Sequence, residues 1–248
     1  VAAARAAYLA GFAATSNLAA GQRHQIPTAG TAAHAWILLH DDELSAFRSQ
    51  VASMGTGTTL LVDTIDIRAG IENAITAAGP ELYAIRIDSG DLGELARQAR
   101  EQLDSLGATG TRIVLSGDLD EYAIASLRAE PVDSYGVGTS VVTGSGAPTG
   151  GMVYKLVEVD GRPVAKRSAS KESKGGRKSA LRRCKPTGTA VEEVVFAADR
   201  PVPAGPHDVL LPVPLVRGGK VAPDVTDLEA ARERLRAALV AVPWEGLK

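Results

Sequence analysis

The sequence predicts an α/β protein whose core is a parallel sheet covered by helices. Three observations predict it. Short apolar runs alternate with amphipathic stretches between residues 58 and 143, each run ends in polar or glycine residues, and a composition that is 45% hydrophobic but only 4% aromatic leaves the core to Ala, Val, Ile and Leu. Such alternation makes right-handed crossovers between parallel strands, and small aliphatic residues suit helices lying on a sheet. A chain of 248 residues is long enough for one sizeable core. Its net charge of −2 argues against nucleic acid as the main partner.

The opening run "VAAARAAYLAGFAA" reads as an amphipathic helix with Tyr8, Leu9 and Phe12 on its buried side. Arg5 interrupts it and no basic region precedes it, which speaks against a secretory signal. No stretch approaches the ~18 apolar residues of a membrane span. "TTLLVDTI" is the first strand, and Ile67, Ile71, Ala74, Ile75 and Ala78 then recur at helical spacing until Gly79 closes the helix. "LYAIRI" is the second strand, followed by a helix striped with Leu92, Leu95, Ala99, Leu103 and Leu106 and ended by Gly107. "TRIVLS" and "GDLDEYAIASLRA" repeat the unit, and "VDSYGVGT" supplies a fourth strand.

After Thr143 the pattern changes to the loop "GSGAPTGG" and then to "MVYKLVEVDGRPVAKRS", where Asp160-Gly161 marks a hairpin turn. "DVTDLEAARERLRAALVAV" is a packing helix, with Thr226 and Glu229 in capping-box spacing. Four strands are roughly half of what a closed barrel of about eight needs. The expected architecture is therefore a partial, irregular TIM-like barrel over residues 1–144, a β-rich section over 145–225, and a final helix over 226–248.

The polar residues fall where chemistry is placed in such folds. Asp63 and Asp66 close the first strand, Arg86 and Asp88 the second, Ser116 and Asp118 the third, Gly136 and Gly138 the fourth. Ligands bind at this carboxyl edge of a parallel sheet, although any one Asp or Ser there reads equally well as a helix cap. Of four histidines, His34 stands out in "GTAAHAW", beside a turn, a hydroxyl and a helix start. It reads either as a satisfied core or capping residue or as a reaction centre. Residues 166–185 carry nine Lys or Arg against the single acid Glu172, which reads as a solvated basic loop or as a phosphate clamp through Lys171, Arg177 and Lys178. The single cysteine, Cys184, excludes an intrachain disulfide and favours a reducing compartment.

"TSNLAAG", "IPTAGTAAHAW", "LLVDTIDIRAGI", "IRIDSGDL", "SGDLDE", "SYGVGT", "VYKLVEVDGRPVAKRS" and "GRK", in this order and spacing, resemble the nicotinate phosphoribosyltransferase family over nearly the whole chain. In that family a long N-terminal region precedes the first of these motifs, so the chain resembles the C-terminal portion. The resemblance implies a type II phosphoribosyltransferase barrel. It also implies a reaction of NAD salvage, in which nicotinate and phosphoribosyl pyrophosphate give nicotinate mononucleotide and pyrophosphate with ATP hydrolysis. It implies a cytoplasmic homodimer with shared active sites, and Mg²⁺ that arrives on pyrophosphate or nucleotide rather than at a protein metal site.

For single residues the resemblance implies a phosphorylated His34, with Asp63 fixing its tautomer and Asp66 acting as an N-cap. It places Arg86 on nicotinate and the ribose-phosphate region. Asp88 and Asp118 suit ribose hydroxyls, while Gly117, Gly138 and Thr139 suit a phosphate ester at glycine turns. Ser16 and Asn17 stand where nicotinamide enzymes place a carboxylate, and as donors they favour nicotinate's carboxylate. His24 lies near the nucleotide, while His40 and His207 read as surface or structural. Ala35, Ile65 and Gly175-Gly176 depart from the family's usual residues. A quinolinate or nicotinamide phosphoribosyltransferase, or a non-catalytic fragment that binds phosphoribosyl ligands, remain the alternatives.

Overall fold

The computed structural model describes residues 1–144, 146–167, 173–222 and 225–243. They form two compact units, Val1–Gly175 and Gly176–Lys248. The first opens with α1 (Ala2–Leu9), α2 (Leu18–His24), α3 (His34–Leu39) and α4 (Glu43–Met54). Strand and helix then alternate through β1 (Thr59–Leu61), α5 (Ile67–Ala78), β2 (Ala84–Ile87), α6 (Leu92–Ser105), β3 (Arg112–Ser116), α7 (Glu121–Ser126), β4 (Ser134–Gly136) and α8 (Thr139–Thr143). A short hairpin, β5 (Glu158–Val159) and β6 (Arg162–Pro163), follows.

β1 to β4 pair in that order and all in parallel, with Leu61 opposite Arg86 and Ser116 opposite Gly136. Each crossover thus returns to the adjacent strand, without the order reversal of a doubly wound sheet. Among the described residues no further strand pairs with β1 or β4, so this unit presents a four-stranded sheet rather than a closed barrel. Leu60, Val62, Ile85, Ile87, Ile113 and Leu115 fill its core against Phe47 of α4, Ile71 of α5 and Leu103 of α6. Each such side chain contributes about 1.5–3 kcal/mol by leaving water.

The helices start where the sequence supplies an acceptor. Asp66, Asp91 and Asp120 cap α5, α6 and α7, each accepting from the backbone N–H three residues on. Each of these three repeats therefore holds a second aspartate for its helix and a first one, Asp63, Asp88 or Asp118, at the strand end, whereas α8 starts at Gly138 without a side-chain cap. α5 comes close to β1 through Gly70, where any Cβ would collide with the Val62 carbonyl.

Two expectations about packing change. α1 has no buried residue, and Leu9 on its predicted inner side is 68% exposed; among the described residues α1 packs mainly beside α2 and α8. The compact unit also extends past residue 144 to Gly175. The hairpin turn forms at Asp160-Gly161, both with positive φ, and Val164 N–H closes the hairpin on Val157 O; the chain after it is pinned at the end of β1, where Arg167 N–H donates to Thr64 O. Gly175 permits close packing, since a Cβ there would lie 3.1 Å from Pro163 Cβ.

In the second unit β7 (Lys178–Cys184) pairs antiparallel with β8 (Ala190–Ala197) and β9 (Val209–Leu210). β10 (Val216–Arg217) and β11 (Lys220–Val221) form a hairpin, and α9 (Leu228–Ala241) ends the described chain. α9 is capped by Asp227, which accepts from Ala230 N–H, and not by Thr226. Its apolar residues Leu228, Leu235, Leu239 and Val240 are all exposed, so the packing expected of it is not made among the described residues.

Candidate active site

The strand ends and the start of α3 converge on one histidine. His34 is the first residue of α3, and its ring reaches the end of β1. Nδ1 lies 3.0 Å from Thr64 Oγ1, and Nε2 lies 2.9 Å from Lys166 Nζ. Asp88 Oδ2 is 3.6 Å and Asp63 Oδ1 is 4.0 Å from the same Nε2. The His34 side chain is 24% exposed, which leaves the ring an open side.

Asp63 is fully buried, and its two oxygens differ. Oδ2 accepts from Ser89 Oγ at 2.7 Å and from Lys166 Nζ at 3.3 Å, whereas Oδ1 has no hydrogen-bond partner among the described residues. The direct partners of the ring are thus Thr64 on Nδ1 and Lys166 on Nε2, with Asp63 behind Lys166, where the sequence expectation made Asp63 the acceptor that fixes the tautomer. Lys166 Nζ also reaches Ser89 Oγ at 3.1 Å, so three acceptors meet the three protons of an ammonium. An ammonium donating to Nε2 leaves the ring proton on Nδ1, facing Thr64 Oγ1.

Beside this cluster Arg86 is fixed by three contacts. Nε donates to Ser116 Oγ at 2.6 Å, Nη1 to Thr31 Oγ1 at 2.5 Å and Nη2 to Asp88 Oδ1 at 2.7 Å. Ser116 Oγ in turn donates to Asp88 Oδ1 at 2.7 Å. Burial by itself raises the Asp88 pKa, but the contacts from His34, Ser116 and Arg86 outweigh it and hold the carboxyl well below the usual carboxylate range. Gly136 keeps β4 close to this point, since a Cβ there would lie 3.2 Å from Ser116 Cβ.

Asp118 and Thr139 line a separate cleft of about 190 Å³ with Asp120, Ser140, Thr143 and Gly144. Gly117 and Asp118 both have positive φ, which turns the chain sharply after β3, and Gly138 is the N-cap of α8. A larger groove of about 510 Å³ between α5 and α6 holds none of these residues. Ser16 is exposed, and Asn17 caps α2 through its side-chain oxygen, which accepts from Ala20 N–H at 2.9 Å. His24 is exposed at the end of α2, while His40 Nδ1 meets Trp36 O at 2.9 Å, a structural contact. Of the basic clamp, Lys171 lies outside the described residues. Arg177 and Lys178 belong to the second unit, where Lys178 Nζ donates to Gly176 O at 2.8 Å.

The residues that sequence reasoning missed are Lys166, Thr31, Thr64 and Ser89. Lys166 opens the basic run, and no sequence signal sets it apart from the rest of that run; the fold does, through buried Val164 two residues before it and backbone hydrogen bonds in both directions with Ser173. No helix among the described residues is long and apolar enough to cross a membrane.

No protein-family model matches the sequence. The nicotinate phosphoribosyltransferase pncB1 of Mycobacterium tuberculosis is 64% identical over 257 residues, covering 100% of this chain and 57% of that protein. The same organism's nicotinate phosphoribosyltransferase pncB2 is 38% identical over 252 residues, covering 98% of this chain and 53% of its own length. The crystal structure of nicotinate-nucleotide pyrophosphorylase from Pyrococcus furiosus superposes with a TM-score of 0.52 at 27% identity, over 95% of this chain and 60% of the other.

Proposed function

This chain belongs to the nicotinate phosphoribosyltransferase family and spans a little over half the length of the relatives it matches, and from that premise we propose an activity. The protein forms nicotinate mononucleotide and pyrophosphate from nicotinate and phosphoribosyl pyrophosphate, a step of NAD salvage, coupled to ATP hydrolysis through a phosphohistidine at His34. The observation that carries the reading is the position of His34 Nε2, on a partly open ring among Lys166, Asp63 and Asp88.

Each part of the chemistry has a residue suited to it. The Nε2 lone pair attacks the γ-phosphorus of ATP, the bond to the bridging oxygen breaks, and ADP leaves with the electron pair. Nδ1 is occupied by buried Thr64, which leaves Nε2 as the accepting nitrogen. Arg86, held flat by Ser116, Thr31 and Asp88, offers a guanidinium face for the pyridine ring and a charge for its anion. Bond breaking at the anomeric carbon builds positive charge on the ribose, which carboxylates at the strand ends stabilise. Asp118 and Thr139, with Gly117 and Gly138 at the turns beside them, offer a separate cleft in the same unit for the ribose phosphate.

Mg²⁺ enters on the phosphates of the substrates and neutralises their charge. Among the described residues no group of three or more His, Cys, Asp or Glu side chains is placed to hold a metal ion. Self-association into a homodimer completes the site. The test is turnover: purified protein is given phosphoribosyl pyrophosphate with nicotinate, nicotinamide or quinolinate, with and without ATP. The reading expects nicotinate mononucleotide formed fastest with ATP present. ATP-independent turnover of quinolinate, or of nicotinamide in preference to nicotinate, contradicts it.

A further inference from the structure

The contact between Lys166 and His34 poses a geometric conflict. The donor at 2.9 Å lies on the lone pair of Nε2, and a phosphorus atom attacked by that nitrogen needs the same direction. The resting hydrogen bond and the phosphoryl transfer therefore exclude each other. Lys166 is 6% exposed and cannot simply swing into solvent. A second acceptor lies beside it: Asp63 Oδ1, fully buried, without a hydrogen-bond partner among the described residues, on the carboxylate whose Oδ2 the ammonium already touches.

We infer that Lys166 is a two-position positioning residue: donating to His34 Nε2 it locks the imidazole as the Nδ1–H tautomer, and moving to Asp63 Oδ1 it frees Nε2 for an incoming phosphoryl group. In the first position the ammonium keeps a proton off the nitrogen that must attack. Without it, Nε2 faces two carboxylates, Asp63 and Asp88, and a proton on Nε2 is the favoured arrangement. In the second position the ammonium stays beside Nε2 as the counter-charge to the arriving phosphoryl oxygens. No proton is lost in the exchange: Nδ1 keeps its hydrogen on Thr64, Lys166 keeps three, and the electron pair of the broken P–O bond leaves with the nucleoside diphosphate. The second position rests on the phosphohistidine reading; the tautomer lock does not.

Two measurements test it. Long-range ¹H–¹⁵N spectra of the histidine rings are recorded at pH 8 on the wild-type protein, with His34 assigned by the signal missing from His34→Gln. The ring is expected as Nδ1–H, and an Nε2–H ring in the wild type overturns the lock. Lys166→Met is expected to move the proton to Nε2. Lys166→Arg serves where the methionine variant does not fold, since its fork grips both oxygens of Asp63 and leaves Nε2 without a donor. Incorporation of γ-labelled phosphate from ATP is expected to slow about 10²-fold in either variant. A folded variant that keeps the Nδ1–H ring, or takes up label within about threefold of the wild-type rate, overturns the inference. Wild-type protein that takes no label at His34 removes the phosphohistidine reading and with it the second position, while the ring spectra still decide the lock.

Discussion

Arg86 Nη2 donates to Asp88 Oδ1 at 2.7 Å, and this pair at the end of β2 joins two halves of one polar network. Asp88 turns its other oxygen to His34, while Arg86 reaches Thr31 just upstream of that histidine. Asp88 thus meets both the residue proposed to hold the pyridine ring and the residue proposed to take the phosphate, one carboxylate oxygen on each.

Removing one contact of that network should weaken the reaction in proportion. A hydrogen bond to a charged group is worth about 1.5–3 kcal/mol, so Thr31→Val is expected to lower kcat/KM for nicotinate by about tenfold or more. Arg86→Lys loses the planar fork and is expected to cost about 10²-fold. Steady-state kinetics on both variants check this, and equal small losses in the two contradict the three-contact description.

Glu43 of α4 gives the fold a pH dependence. Burial drives its carboxyl up to about 7 from 4.5; the hydrogen bond from Asn73 Nδ2 works against this, and the charges of Asp66 and Asp63 add to it. A carboxyl that holds its proton more tightly when folded stabilises the fold below about pH 4.5, and that stability is lost as pH rises through about 7. The rise corresponds to about 3 kcal/mol at most. Glu43→Gln is expected to unfold at higher urea than the wild type at pH 8, with the difference shrinking or reversing at pH 5.

The approach of α5 to β1 depends on Gly70. An alanine there meets the Val62 carbonyl, a backbone atom that moves only with the strand, so Gly70→Ala is expected to cost about 1–3 kcal/mol or more of stability. Val62 lies next to Asp63, so the same variant should also lower activity. Urea unfolding and kinetics on one preparation read both effects.

Asp66 separates folding from chemistry. It caps α5 with a hydrogen bond of 2.8 Å to Ala69 N–H and belongs to no contact of the His34 cluster. Asp66→Ala is expected to cost about 1 kcal/mol in unfolding free energy and to leave the kcat of the folded protein within about twofold. Urea titration and turnover on the same sample compare the two.

The strand–helix repeats were legible because the information is local. Asp66, Asp91 and Asp120 each act on a backbone N–H three residues away, and the aliphatic stripes of α5 and α6 repeat within one helix. Residues at strand ends were legible as a group, because strand order carries them all to one edge of the sheet. Lys166 was not, since it meets His34 across 132 residues and Asp63 across 103, and the pins that deliver it, Val164 on Val157 and Arg167 on Thr64, leave no pattern in the sequence. The apolar sides of α1 and α9 were misread for a related reason: amphipathic spacing says which face is apolar, and only packing says what covers it.

The central claim is that His34 accepts phosphate. Incubation with γ-labelled ATP and Mg²⁺, followed by acid and base treatment of the denatured protein, measures it directly. The account predicts label that is lost in acid, stable in base and absent from His34→Ala. Label that persists in His34→Ala, or that survives acid, contradicts it.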